Sequence, residues 1–247
     1  MEVRGQMLAE VDAERVWRSA LTWMVRGFAS DPVSVGRPRE HDETTRAALL
    51  AAAERLIDEH GPDAASVRAV ADEVGTTTRA VYSVFGSKLG LLEALATRLF
   101  EDLSEAIDAV AVTDDPAVDL VEVGVQGFRK TVLAHPSLYR LVFLRVVPDL
   151  ELGPDFGRVA YGAFGRMQAR VERLEPTGSR DGQEVHERAL AFHALTEGLG
   201  SMEVRGQMLA EVDAERVWRS ALTWMVRGFA SDPVSVARAA SPSRRGR

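Results

Sequence analysis

From Leu49 to Phe229 the apolar side chains recur every three to four residues, and no stretch alternates apolar and polar as a half-buried strand does. That periodicity restricts the chain to helices packed on helices, an all-α fold. Leu49, Leu50, Ala53, Leu56 and Ile57 share one face of a helix from Ala47 to His60, which Gly61-Pro62 ends. Ser66 is placed to cap a short helix through Val74, and Thr76 or Thr77 a second through Phe85. Ser87 caps a long helix to about Val112. Further helices are predicted from Pro116 to His135, Pro136 to about Val147, Asp155 to Leu174, Gln183 to Arg205 and Ala214 to Phe229.

With 46% hydrophobic and 27% charged residues the composition is that of an ordinary globular chain. The formal charge is -7, so contact with nucleic acid requires a local basic face rather than a basic molecule. Cysteine is absent, which removes thiolate chemistry and Cys-based zinc sites and fits a cytoplasmic location. No apolar run approaches the ~20 residues of a membrane span, and the first residues carry no apolar signal core. The motifs HExxH, GxSxG and the phosphate loop do not occur, and neither an enzyme nor a cofactor is expected.

Two short helices joined at Gly75, following a longer one, form a tri-helical helix-turn-helix. Ala71 is small where two helices cross, and Val70, Val74 and Val81 make the seam. The second short helix, TTTRAVYSVF, then turns Thr77, Thr78, Arg79 and Ser83 outward, hydroxyls and a guanidinium suited to base edges and phosphates. Tyr82 and Lys88 lie at its far end, Lys88 beside a helix N-terminus that favours phosphate. Arg37 and Arg39 sit on a Pro-stiffened arm, residues 36–44, that reads equally as a minor-groove arm or a solvated linker.

The stretch from Arg46 to Leu95 resembles the N-terminal domain of the tetracycline-repressor (TetR) family. The resemblance runs through Gly61, Ala71, Gly75, Tyr82, Phe85 and Lys88. It implies a DNA-binding domain over 45–90 in which Ser66, Arg68, Tyr82 and Lys88 hold phosphates while Thr77, Thr78 and Arg79 approach bases. Where members often carry a His before the Phe, this chain has Val84. The resemblance further implies a C-terminal domain, 91–236, that takes a small-molecule effector and forms a homodimer on a double-stranded operator. Phe128, Tyr139, Phe143, Phe164, Met167, Phe192, His193 and Glu197 are the expected pocket residues, although such side chains also serve as plain core. The C-terminal half resembles a subclass named for a Trp-His-Gly motif, with Phe192, Glu197 and Gly198 at those positions. His186, His193 and Glu197 share a helical stripe, but ~1.5 Å per residue puts the two imidazoles about 10 Å apart, too far for one metal ion. A ligand-binding or scaffold protein without DNA binding is the competing reading.

One feature fits no single fold. Met1 to Val35 is identical to Met202 to Val236, and the identity ends where Gly36 stands opposite Ala237. The second copy carries Val217, Trp218, Leu222, Met225 and Phe229 as an apolar stripe, the expected dimer interface. The first copy is expected to be a passenger, and 237–247 a basic disordered tail.

Overall fold

The structure, a computed structural model, describes residues 40–144, 152–174 and 182–229. Every regular element among them is helical. Helix α1 spans Glu40–His60, and after a 3-10 turn at Pro62–Ala64 come α2 Val67–Val74, α3 Thr78–Phe85 and α4 Lys88–Ala109. Then follow α5 Pro116–Glu122, a π-helical turn Val123–Arg129, α6 Lys130–Ala134, α7 Pro136–Val142, α8 Pro154–Glu172, α9 Gly182–Val204 and α10 Ala214–Phe229.

The helix starts follow from local chemistry. The hydroxyl oxygens of Ser66, Thr77 and Ser87 accept backbone N–H groups of Ala69, Ala80 and Gly90 at 3.1, 3.2 and 2.9 Å. Thr77, not Thr76, is therefore the cap of α3. Between α2 and α3, Gly75 has φ +70°, left-handed backbone where a Cβ is unfavourable. A Cβ at Gly90 would lie 2.1 Å from the Phe85 carbonyl oxygen, so only glycine lets α4 leave α3 at this angle.

Several boundaries differ from expectation for identifiable reasons. Helix α1 begins seven residues before Ala47, because Glu40 to Arg46 forms polar turns that apolar periodicity does not register. Helix α4 stops at Ala109 rather than near Val112. There the buried Arg170 guanidinium donates to the carbonyls of Ile107 (2.9 Å), Val110 (2.6 Å) and Ala111 (3.2 Å), capping the helix from another element. The run from Pro116 is interrupted by the π turn and ends at Ala134. Helix α7 ends at Val142, and residues 145–147 of its expected length lie outside the described residues.

Two large apolar cores result among the described residues, beside a small third cluster of Ala96, Leu152 and Phe156. One gathers Leu49, Val70, Ala71, Val81 and Phe85, and the other gathers Leu120, Phe128, Phe192, Trp218 and Leu222. Helix α4 joins them, placing Leu91, Leu95 and Leu99 in the first and Leu103 and Ile107 in the second. Helix α7 does the same across its width, Leu138 and Leu141 facing the first core and Tyr139 the second.

Asp119 is almost fully buried and accepts from the Thr113 N–H (2.8 Å), the Thr113 hydroxyl (2.6 Å) and Arg173. The Arg173 hydrogen bond, then those of Thr113, lower its pKa from 3.8 to about 2. A carboxylate depressed on folding stabilises the protein above its unfolded pKa, and that stabilisation is lost as pH falls from near 3.8 towards 2. Thermal melts in steps from pH 5 to pH 2 are expected to show this loss in the parent. The Asp119→Asn variant, already weaker at neutral pH, should lack that part of the slope.

Candidate functional site

Helix α3 is held by its inner face. Val81 is 1% and Phe85 9% exposed, Val84 packs partly against the same core, and the Arg46 guanidinium lies 5.1 Å from the Phe85 ring centroid. With that face fixed, Thr77, Thr78, Arg79, Tyr82 and Ser83 stand exposed, Tyr82 with 52% of its surface. Arg68 on α2 and Lys88 at the start of α4 are exposed as well. The helices α2, α3 and α4 that carry or begin beside these residues each start with free backbone N–H groups and a capping hydroxyl. Ser66 and Thr77 use an oxygen lone pair on their caps and retain the O–H as a donor. The Ser87 cap is a further polar group here. Arg37 and Arg39 lie outside the described residues.

The eight residues expected to line a pocket converge, but they divide by environment. Phe128, Tyr139, Phe164, Met167 and Phe192 are buried in the second core, and the Tyr139 hydroxyl donates to the Glu197 carbonyl at 2.9 Å. Tyr139 stacks on Phe143 at 4.7 Å, and Phe143 stacks in turn on Phe100 at 5.5 Å, an aromatic neighbour that the helical stripe of α4 concealed. Phe143, His193 and Glu197 keep accessible surface. The rings of Phe128, Phe143 and Phe164 surround the imidazole at 6.5, 6.5 and 6.2 Å. Burial among them pushes His193 down to about 4, so it is neutral at pH 7 even though the side chain keeps 22% of its surface. Burial also raises the Glu197 carboxyl, whose Oε2 lies 3.6 Å from His193 Nε2. The pair is a polar contact in an aromatic surround. His186 instead meets Gln168 Oε1 at 3.2 Å, and no group of three metal-ligating side chains gathers among the described residues.

A junction that sequence reading missed ties the two cores together. At the corner between α6 and α7, His135 Nδ1 lies 2.5 Å from Glu54 Oε1 of α1, and its Nε2 lies 3.4 Å from Asp102 Oδ2 of α4. The Glu54 hydrogen bond raises the His135 pKa above its ordinary value.

The family model described as bacterial regulatory proteins, tetR family, matches residues 49–95. A second, the tetracyclin repressor-like C-terminal domain, matches 121–225, and the two span more than half of the chain. The chain belongs to the tetR family. It is 27% identical over 124 residues to the HTH-type transcriptional regulator Mb1846 of Mycobacterium bovis, a match covering 49% of this chain and 53% of that protein. The chain thus spans about half the length of the curated relatives it matches first. Against the uncharacterized HTH-type transcriptional regulator Rv0681 of Mycobacterium tuberculosis, identity is 25% over 198 residues, 79% of this chain and 85% of that one. A tetR-family transcriptional regulator from Streptomyces coelicolor shares the fold, with TM-score 0.60 and 20% identity over 81% of this chain and 84% of that chain. The family and the curated relatives it matches are transcriptional regulators, not enzymes. No helix among the described residues is long and apolar enough to cross a membrane.

In this tetR-family chain the expected dimer stripe requires correction. Trp218 and Leu222 are 0% exposed and lie inside the protomer, while Val217, Met225 and Phe229 are partly buried. Phe229 lies under the Arg188 guanidinium at 5.7 Å. A helical stripe shows which face seeks cover but not what covers it, and here α5, the π turn and α9 of the same chain do. Trp224, on the opposite face, is 70% exposed. An aromatic on the polar side of an amphipathic helix was the signal available in the sequence.

Proposed function

We propose that this protein is a ligand-responsive transcriptional regulator, a cytoplasmic repressor that binds a pseudo-palindromic operator as a homodimer. The observation that carries this reading is the exposed row Thr77, Thr78, Arg79, Tyr82 and Ser83 on a helix whose other face is locked by Val81 and Phe85, with Arg68 and Lys88 alongside. Short hydroxyls and one guanidinium on a rigid helix are suited to major-groove edges, and the flanking cations to phosphates. Arg37 and Arg39 are assigned to the adjoining minor groove. Two such helices about one DNA turn apart read the two half-sites. Selection from random duplexes, followed by titration across salt, tests the proposal. The expected result is a palindromic sequence bound with an affinity that falls steeply with salt. A scaffold protein would select nothing.

The effector is placed against Phe143, His193 and Glu197, with Phe128, Tyr139, Phe164, Met167 and Phe192 behind them. We read Phe192, Glu197 and Gly198 as standing at the positions of the Trp-His-Gly motif, which leaves Glu197 as the polar side chain of the three. Helix α7 carries Tyr139 on one side and Leu138 and Leu141 on the other, so a change at the effector site reaches the DNA-binding core through one element.

Val217, Ala221, Trp224 and Gly228 occupy one side of α10 at helical spacing, and Trp224 and Gly228 are exposed. We assign the homodimer contact to this side, with Val217 the member of the originally expected stripe that belongs to it. Trp224→Glu is expected to weaken the dimer by roughly 30- to 1,000-fold, the range of a lost aromatic anchor, and to lower the melting temperature only as far as dimerisation itself had raised it. Sedimentation across concentration measures it, and an unaltered dimer would move the interface elsewhere.

A further inference from the structure

Helix α10 sits in a groove whose fit is described residue by residue. A Cβ at Gly124 of the π turn would lie 2.4 Å from Leu222 Cδ1, so Leu222 rests on bare backbone. Trp218 inserts beside Phe128, ring centroids 6.3 Å apart, and its Nε1 donates to Glu203 Oε2 at 2.8 Å. Arg129 grips Glu203 with two hydrogen bonds, 3.0 and 2.8 Å, and reaches Glu215 Oε2 at 3.3 Å. Arg219 pairs with Glu122, and Val226 is buried at the far end.

We propose that this groove has a second occupant encoded in the same chain, residues 13–28 of the first copy. Its Glu14, Trp17, Arg18, Leu21 and Val25 are the counterparts of Glu215, Trp218, Arg219, Leu222 and Val226. Glu203 and Arg129, which complete the polar contacts, belong to the groove and stay with it. Identical sequences have identical intrinsic affinity for one surface, so tethering alone divides the groove between them. Helix α10 is joined to α9 by residues 205–213. The first copy is joined to α1 through residues 29–39, a tether of at most ~40 Å that leaves from the Phe28 end. In the seated helix that end corresponds to Phe229, which lies beside Arg188 near the start of α9. The shorter, better placed tether keeps α10 seated in the parent protein. When α10 is weakened, the first copy replaces it.

The experiment compares Trp218→Ala in the full chain and in a chain lacking residues 1–35, by thermal melting. Removing 1–35 alone leaves the melting temperature unchanged. In the shortened chain Trp218→Ala lowers it by roughly 6–20 °C. In the full chain the same change lowers it by less than half as much, and adding Trp17→Ala restores the full loss. Should Trp218→Ala fail to fold in either background, Leu222→Val, with Leu21→Val as its partner, gives the milder form of the same comparison. Protection that is independent of protein concentration places the first copy in its own groove. Protection that grows with concentration places it in another molecule's, and both outcomes support exchange. Equal losses in the full and shortened chains, or protection that survives the change in the first copy, would overturn the proposal.

Discussion

Arg129→Ala is expected to destabilise the protein by ~3–5 kcal/mol, lowering the melting temperature by roughly 6–20 °C for a domain of this size. Arg129 and Glu203 retain only 15% and 14% of their side-chain surface, and the guanidinium meets the carboxylate in a two-point fork. Hydrogen bonding to Glu203 also raises the Arg129 pKa, so the cation persists at any accessible pH. Without it, the Glu203 carboxyl is left largely out of water, with the Trp218 N–H as its remaining side-chain donor among the described residues. Most of the cost is that stranded charge rather than the lost attraction. Arg129→Met, which keeps much of the volume, should therefore fare little better. Combining Arg129→Met with Glu203→Gln should recover most of the loss, because the amide oxygen still accepts from Trp218 and no charge is buried. The link from Arg129 to Glu215 adds little, since Glu215 is 45% exposed. Failure of the double variant to recover would place the stabilisation in the ion pair itself.

Arg79→Ala is expected to cost ~1–3 kcal/mol of operator affinity and to relax sequence preference at one base step. Arg79 is exposed near the start of α3, where a guanidinium can reach a base edge with two donors. Lys88→Ala should act differently. It lies at the first turn of α4, beside the Ser87 cap, a position suited to phosphate. Its loss should weaken all duplexes alike and flatten the dependence of log K on log salt by about one unit. Both side chains are exposed, so neither change should alter the melting temperature. Unchanged binding in both variants would remove α3 from the DNA interface.

Much of this was legible in one dimension because it depends on near neighbours. Ser66, Ser87 and Gly75 act on backbone within a few residues, so the cap and turn chemistry locates the helix-turn-helix before any packing is known. The alternation of Val81 and Phe85 with Arg79, Tyr82 and Ser83 likewise follows from helical period, and burial bears out that division. The identity of the two copies is sequence knowledge by definition. What packing decided involves partners far apart in the chain. Arg170 ends α4 some sixty residues earlier, His135 meets Glu54 across eighty-one residues, and the extra residue of the π turn leaves no mark on a 3.6-residue pattern. The stripe on α10 was readable as apolar, but whether another protomer or its own fold covers it depends on Gly124, 98 positions before Leu222. With no side chain there, Leu222 seats against bare backbone inside the protomer, while Trp224 stands outside.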